Sequence, residues 1–164
     1  QLEPRPADWP GKPNEWPGRK PGSYKWYEIQ DSVDYYEEFE KGKIMLPDIA
    51  IKAQCAYDES GTYCVNTAYI IPTAEYWLLG ILNSSLVHFF YSNLTSSIRG
   101  GYLRFIRQYL EQIPIISDRE ELKAQIQQKV EAVLRSPSAD TAALEAELDA
   151  LVYGLYGLTE AEVA

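Results

Sequence analysis

Apolar residues recur at helical spacing over residues 75–91, and this pattern predicts the main core helix. Leu78, Leu82 and Leu86 fall on one side of the predicted helix, which follows a strand stopped by Pro72. His88, the single histidine of the chain, lies within the same apolar pattern. We therefore interpret it as a core or interface residue, in preference to a metal ligand or catalytic base.

Two further amphipathic stretches predict a helical hairpin at the C-terminal end. The first helix is expected from Asp118 to about Arg135, because Ser117 and Glu120 have the spacing of a capping box. Residues 136–138, Ser-Pro-Ser, form the turn, and Asp140 is expected to cap the second helix. Two such helices joined by a short turn pack antiparallel.

Short extended runs precede the core helix, and a further extended run is expected at 109–116 after it. Residues 43–46 form an apolar run typical of a buried strand, and 24–29 form an aromatic strand candidate. Residues 53–57 and 62–71 predict a β-hairpin around a four-residue loop, which would set Cys55 opposite Cys64. A shift of one residue would remove that pairing, so the sequence leaves open whether the two cysteines pair.

The predicted fold class is α/β in the mixed α+β sense. We expect a small mixed sheet with a hairpin, one core helix, and a terminal antiparallel helix hairpin. Three segments follow: a Pro-, Gly- and Trp-rich arm at 1–23, a globule at 24–117 and the helical hairpin at 118–164. Because the chain begins with Gln1 in a Pro-rich segment, we expect a fragment of a larger protein.

Charge is distributed unevenly along the chain. The formal net charge is −9, and residues 118–164 carry ten acidic against four basic residues. No Asp or Glu occurs over 76–110, which is a local reversal of sign. An acidic protein is a poor non-specific DNA binder, so any binding of DNA must be local or helped by a covalently attached partner domain. No signal peptide or membrane-spanning run is present, and we expect a cytoplasmic protein.

The segment 96–107 is the strongest candidate for a binding site. Within the carboxylate-free window it combines three arginines, two adjacent glycines and two aromatic residues. Arginine offers a planar fork of donors that suits phosphate and the edge of guanine, and glycine lets a backbone approach a ligand closely. The alternative interpretation is a surface turn that leads into a half-buried strand, with the arginines solvated.

The sequence shows no catalytic arrangement. Glycine-rich phosphate loops are missing, and one histidine and two cysteines do not make a triad or a zinc site. Asp48 and Lys52 alone form a weak nuclease pattern. We predict that this chain binds its ligand without transforming it, with no catalytic residue, metal site or cofactor of its own.

Several motifs, taken in order, resemble one family. The sequences KWYEIQD at 25–31, YYEEFEK at 35–41, IRGGYLRF at 98–105 and YLEQIPI at 109–115 are similar to the TaqI-like C-terminal specificity domain. The segments 43–50, 66–69, 78–84 and 151–159 are similar to it as well. That domain occurs in adenine-specific DNA methyltransferases and in restriction-modification enzymes.

The resemblance implies a target recognition domain that binds double-stranded DNA. It implies that a separate methyltransferase domain, N-terminal in sequence, binds S-adenosylmethionine and flips the adenine. On this hypothesis the candidate DNA-binding residues are Ser96, Ser97, Arg99, Gly100, Gly101, Tyr102, Arg104 and Arg107, with Lys41, Lys43 and Lys52 as secondary phosphate contacts.

Alternation along a strand would put Tyr102 and Arg104 on one face and Phe105 and Arg107 on the other, so that the two arginines could not both face DNA. The main rival hypothesis is a protein-interaction module that uses the terminal helix hairpin. A carbohydrate-binding domain is a third, suggested by the Trp and Tyr content.

Overall fold

The computed structural model of the chain describes residues 2–31, 33–95, 97–98, 100–135 and 141–163. The chain divides into two units, Gln1–Glu37 and Glu38–Ala164, and each is described by itself. The predicted segment boundaries after residues 23 and 117 remain a prediction.

The first unit is an irregular arm organised by Arg19. Its guanidinium group donates hydrogen bonds of 2.8–2.9 Å to four backbone carbonyls, those of Leu2, Lys25, Trp26 and Glu28. The strand predicted for 24–29 is wrong, because these carbonyls accept from Arg19 and the backbone turns between Lys25 and Glu28. Trp9 and Trp16 contact each other edge to face, with ring centroids 4.9 Å apart.

Two small antiparallel sheets form the β part of the second unit. Strands β1 (Lys43–Pro47), β2 (Ile49–Ala50), β3 (Ala56–Asp58), β4 (Ala68–Ile71) and β5 (Leu103–Arg104) appear in this order along the chain. The first sheet has the order β3-β1-β4, and the second pairs β2 with β5. The apolar strand β1 is therefore central, as its buried residues Ile44 and Leu46 require.

The predicted hairpin between 53–57 and 62–71 is wrong, because β3 and β4 lie on opposite sides of β1. Lys43 of β1 lies opposite Asp58 of β3, and the two side chains form an ion pair. Asp58 also accepts hydrogen bonds from Ser60 and Thr62, which turn the chain away from β3. Cys55 and Cys64 are both free thiols.

Helices α1 (Tyr76–Asn83) and α2 (Ser85–Leu94) replace the single core helix that the pattern predicted. The break lies at Ser84, whose extended backbone ends α1 and whose side chain accepts from the Val87 amide to cap α2. Asp149 accepts from both the amide and the hydroxyl of Ser85, at 2.9 and 2.6 Å. A carboxylate far away in sequence thus satisfies a donor that an unbroken helix would have used internally.

The C-terminal part contains α3 (Arg107–Leu110), α4 (Glu120–Leu134), α5 (Ala142–Tyr156) and α6 (Glu160–Val163). Helices α4 and α5 are antiparallel, because Arg119 contacts Gly154 while Lys129 pairs with Glu147. The predicted turn at 136–138 and the cap Asp140 lie outside the described residues.

The start predicted for α4 is two residues too early. Helix α4 begins at Glu120 with Arg119 at its N-cap position, and the capping box from Ser117 does not form. Arg119 donates instead to the Gly154 carbonyl at 3.1 Å, and Glu120 pairs with Lys123. A tertiary contact to α5 therefore decides where this helix starts.

The core lies where α1 packs against the helix pair and the sheet. Gly80 makes the close approach of α1 and α4 feasible, because a Cβ atom there would lie 2.8 Å from Val130 and 2.9 Å from Ile126. Mixed helices and small sheets around one core confirm the predicted α+β class. Among the described residues, none of the helices combines the length and apolar character needed to cross a membrane.

Candidate nucleic-acid interface

The two glycines of the candidate segment close a tight turn between Ile98 and Tyr102. The Ile98 amide donates to the Tyr102 carbonyl at 2.7 Å, and the Gly101 amide donates back to Ile98 at 3.1 Å. Gly100 and Gly101 have φ angles of +90° and +82°, a region that residues with a Cβ atom rarely adopt. Local chemistry therefore explains the glycine pair without a ligand.

Beyond the turn, strand β5 presents alternate residues to the core and to solvent. Leu103 and Phe105 are buried, whereas Tyr102 and Arg104 are exposed, which confirms the predicted alternation as far as Phe105. The buried side chains of Leu103 and Phe105 hold residues 102–105, called the β5 ribbon below, to the core. The outward pair is available to a ligand on the surface.

Arg107 does not continue this alternation. Strand β5 ends at Arg104, and Arg107 is the first residue of α3. The predicted extension of the strand to 107 is therefore wrong, and strand alternation no longer argues that the two arginines cannot both face DNA. Arg107 is almost fully exposed, and its Nε donates to Glu111 one turn later at 2.6 Å. The extended chain expected after Tyr109 is interrupted by the same helix.

Arg104 lies beside a carboxylate that sequence reasoning did not connect with it. Its Nη2 atom lies 3.2 and 3.4 Å from the two carboxylate oxygens of Asp48, and the Tyr69 hydroxyl donates to Asp48 Oδ1 at 3.3 Å. The Arg104 side chain is 49% exposed, against 17% for Asp48. These three residues, Asp48, Tyr69 and Arg104, are called the Asp48 cluster below.

Backbone pairing explains why the Asp48 cluster assembles. Ile49 of β2 lies opposite Arg104 of β5, and the Asp48 carbonyl accepts from the Phe105 amide at 2.8 Å. The Asp48 amide donates to Thr67 at 2.9 Å, just before β4 carries Tyr69. In the sequence Asp48 stood out only as a polar residue after a proline and, with Lys52, as a weak nuclease pattern. No local signal linked it with positions 69 and 104.

The lysine candidates are distributed over different parts of the second unit. Lys43 is completely buried, and its Nζ donates to the Phe39 carbonyl at 2.6 Å and to Asp58. Its charge is used inside the protein, so Lys43 is unavailable to a phosphate in this structure. Lys41 is exposed and pairs with Glu38 at 2.7 Å. Lys52 is exposed and follows β2, the strand next to β5.

The remaining candidates are only partly described. Ser97 is exposed at the start of the turn. Ser96 and Arg99 lie outside the described residues, so their predicted roles stay predictions. The structure brings Tyr102, Arg104 and the glycine turn together with β2, whereas Lys41 and Lys43 belong to the end of the other sheet.

The local excess of positive charge is smaller in space than along the sequence. Asp48 lies against Arg104, and Asp149 lies against Ser85. Two carboxylates from other parts of the chain are therefore close in space to residues of 76–110. Glu111 pairs with Arg107 directly after the window. Neighbouring carboxylates therefore offset much of the positive charge of the described part of this segment. Among the described residues, no three His, Cys, Asp or Glu side chains are grouped as a metal site requires.

The sequence model of the TaqI-like C-terminal specificity domain matches residues 14–115, which is more than half of the chain. The chain belongs to this family. The resemblance drawn from the motifs is thereby confirmed.

Two curated relatives of this specificity domain are type II methyltransferases. It is 30% identical to M.XhoI of Xanthomonas vasicola over 142 residues, which cover 84% of this chain and 24% of that protein. It is 28% identical to M.PaeR7I of Pseudomonas aeruginosa over 132 residues, which cover 73% of this chain and 20% of that protein. The chain thus spans less than a quarter of the length of these relatives.

A solved structure shares the fold of this specificity domain. The type IIL restriction-modification enzyme MmeI, determined in complex with DNA, superposes with a TM-score of 0.64 at 17% identity. The match covers 82% of this chain and 20% of the MmeI chain. The mixed architecture is therefore one that a DNA-modifying enzyme contains.

Proposed function

We propose that this chain recognises a short sequence in double-stranded DNA. It does so as the specificity segment of a type II DNA methyltransferase or restriction-modification enzyme. The observation that carries the proposal is the outward face of the β5 ribbon in a member of the TaqI-like specificity family. There Arg104 and Tyr102 project from a backbone held by the buried Leu103 and Phe105. Side chains on a rigid element can be placed against base edges more accurately than side chains on a free loop.

The proposed contacts differ in kind according to their position on this surface. Arg104 is proposed to contact a base, with Tyr102 and the turn of Gly100 and Gly101 against the backbone of the duplex. Arg107, Lys52 and Ser97 are exposed and are proposed as phosphate or sugar contacts. Arg99 and Ser96 remain candidates from the sequence, and Lys41 is a more remote one.

The longer protein is proposed to be an adenine-specific methyltransferase that acts at N6. Support comes from the family, whose members serve such enzymes, and from the two methyltransferase relatives. S-adenosylmethionine would be bound by a catalytic domain outside this chain. Mapping of methylated bases in DNA exposed to the full-length protein tests this part, and methylation of cytosine in place of adenine would contradict it.

No observation favours the interaction-module alternative. The apolar stripes of the helix pair are used inside the second unit, where Ile126, Val130, Leu148, Val152 and Leu155 are buried. Because these apolar residues are buried in the unit's own core, they are not available to bind a partner protein.

The proposal is tested by selection from a pool of random duplexes at several salt concentrations, followed by sequencing of the retained DNA. One enriched short motif is expected, with an affinity that falls linearly with salt on logarithmic axes. Arg104→Ala should cost about 1–3 kcal/mol of binding free energy and relax one position of the motif. The matched control is Arg135→Ala, at an exposed arginine that directly follows α4 and also pairs with a carboxylate.

Retention of DNA without any common motif would overturn the proposal. The same selection should therefore be run on the chain alone and on the chain in place of the matching segment of M.XhoI. In the second arrangement, methylation at a new site would support sequence recognition by this chain. Unchanged M.XhoI specificity, together with no motif for the chain alone, would exclude it.

A further inference from the structure

We infer that Asp48 is a positioning residue that directs Arg104 to a guanine base and away from phosphate. The inference rests on the proposed recognition of DNA and concerns how the same surface chooses its contact. It is carried by the geometry of the Asp48 cluster.

The first step is the end-on contact between the two side chains. Only Nη2 of Arg104 reaches the carboxylate of Asp48, at 3.2 and 3.4 Å. Within the described part of the chain, Nε and Nη1 of Arg104 have no hydrogen-bond partner, and the side chain is half exposed. The guanidinium is thus held at one end while its remaining donors stay open to a ligand.

The second step is the rigidity of Asp48 itself. Its amide donates to Thr67, its carbonyl accepts from Phe105, and its side chain accepts from Tyr69 of β4. These bonds join Asp48 to both small sheets of the second unit. An arginine anchored to such a residue loses less conformational freedom on binding than a free arginine, because part of the ordering precedes the ligand.

The third step is the choice between base and phosphate. A carboxylate within 3.5 Å of the guanidinium repels an anionic phosphate that approaches the same donors. The O6 and N7 atoms of guanine are neutral acceptors with the spacing of the arginine fork, so they meet no such repulsion. An arginine beside a fixed carboxylate is therefore better matched to guanine than to the sugar-phosphate backbone.

The test compares base preferences of the full chain and of Asp48→Ala by selection from random duplexes. The wild type is expected to require guanine at one position of its motif, the position that Arg104→Ala relaxes. Asp48→Ala should reduce that guanine preference about tenfold, as expected for a misplaced bidentate contact. Tyr69→Phe, which removes only the hydroxyl, should produce a smaller loss at the same position.

Two controls separate positioning from charge and from misfolding. Glu147→Gln changes the net charge by the same one unit on the helix pair and should leave the base preference unchanged. In an Arg104→Ala background, Asp48→Ala should have no further effect on preference, because its influence passes through Arg104. Near-UV circular dichroism establishes that each variant is folded, and Asp48→Asn replaces Asp48→Ala if the latter is not.

The outcomes distinguish this inference from the proposed function. No motif for the wild-type chain alone, together with unchanged specificity when it replaces the matching segment of M.XhoI, would refute the proposed DNA recognition itself. A wild-type motif whose preferences survive Asp48→Ala, with affinity raised equally for all duplexes, would overturn the inference and identify Asp48 as a repelling charge only. Relaxation of a position other than guanine in Arg104→Ala would overturn it as well.

Discussion

The rings of Tyr91 and Phe105 stack with their centroids 4.7 Å apart and their planes inclined by 8°. Tyr91 belongs to α2, and its hydroxyl donates at 2.7 Å to the carbonyl of Arg104 on β5. Burial raises the pKa of the Tyr91 phenol to about 12, so the hydroxyl keeps its proton at neutral pH. Tyr91 therefore holds both the Phe105 ring, by stacking, and the backbone of Arg104, by a hydrogen bond.

Tyr91→Phe is expected to lower the free energy of unfolding by about 0.5–1.5 kcal/mol, because a buried hydrogen bond is lost while the ring remains. Urea unfolding followed by fluorescence measures the change. Tyr109→Phe is the control, since among the described residues the Tyr109 hydroxyl has no hydrogen-bond partner and its ring contacts Tyr91 edge to face. Equal effects of the two substitutions would show that the bond to Arg104 contributes nothing.

Gly101→Ala is expected to destabilise the chain by about 1–2 kcal/mol and to change its selection of DNA. A Cβ atom at this position meets no neighbour within 4 Å, so the strain comes from the φ angle of +82° alone. Gly61→Ala is a matched control in a different loop, with a φ of +77° and equally open space. Both variants should lose similar stability, and only Gly101→Ala should alter the motif. A changed motif in both would mean that general stability, and not the turn, governs selection.

Gly80→Ala is expected to lower the free energy of unfolding by about 1–3 kcal/mol through overpacking between α1 and α4. The added methyl group would come within 3 Å of Ile126 and Val130, which are both buried. Gly154→Ala on α5 meets no neighbour within 4 Å and should be neutral or stabilising by up to about 1 kcal/mol. Thermal unfolding of the two variants measures the difference. Tolerance of alanine at Gly80 would contradict the tight packing of these helices.

Acid is expected to weaken the fold through Asp58. The Lys43 ammonium, followed by the Ser60 hydroxyl, holds the pKa of the Asp58 carboxyl well below its usual range in the folded protein. In the unfolded chain the Asp58 carboxyl has an ordinary pKa of about 3.9, so the ion pair gives its full stabilisation above that pH. Its contribution is lost as the pH falls from there through the folded-state pKa. Urea midpoints measured between pH 7 and pH 2 should show a shallower acid decline for Asp58→Asn, from a lower starting stability. Parallel curves for the two proteins would contradict this linkage.

Local patterns predicted those features that depend on a few neighbouring residues. The alternation of Tyr102, Leu103, Arg104 and Phe105 was readable because a strand repeats every two residues. The stripes of the terminal helix pair were readable for the same kind of reason, and Ile126 and Val152 are indeed buried. The adjacent glycines Gly100 and Gly101 indicated a turn because few other residues adopt positive φ angles.

Features that depend on distant partners could not be predicted in this way. The core helix breaks at Ser84 because Asp149, on another helix, binds the exposed amide of Ser85. Lys43 reads as a surface lysine until Asp58 is placed opposite it by the strand register. The pairing of Asp48 with Arg104 depends on β2 and β5, which are more than fifty residues apart and two residues long each. The members of these pairs are 15, 56 and 64 residues apart, so no local repeat links them.

Along the β5 ribbon, alternate residues either pack in the core or face solvent. Leu103 and Phe105 are committed to the core, whereas Tyr102 and Arg104 make few contacts that the fold needs. A substitution at either outward position leaves the buried pair in place, so we expect it to lower the free energy of unfolding only slightly. On the proposed function, single substitutions at these two positions would change the recognised DNA sequence while the buried pair keeps the fold.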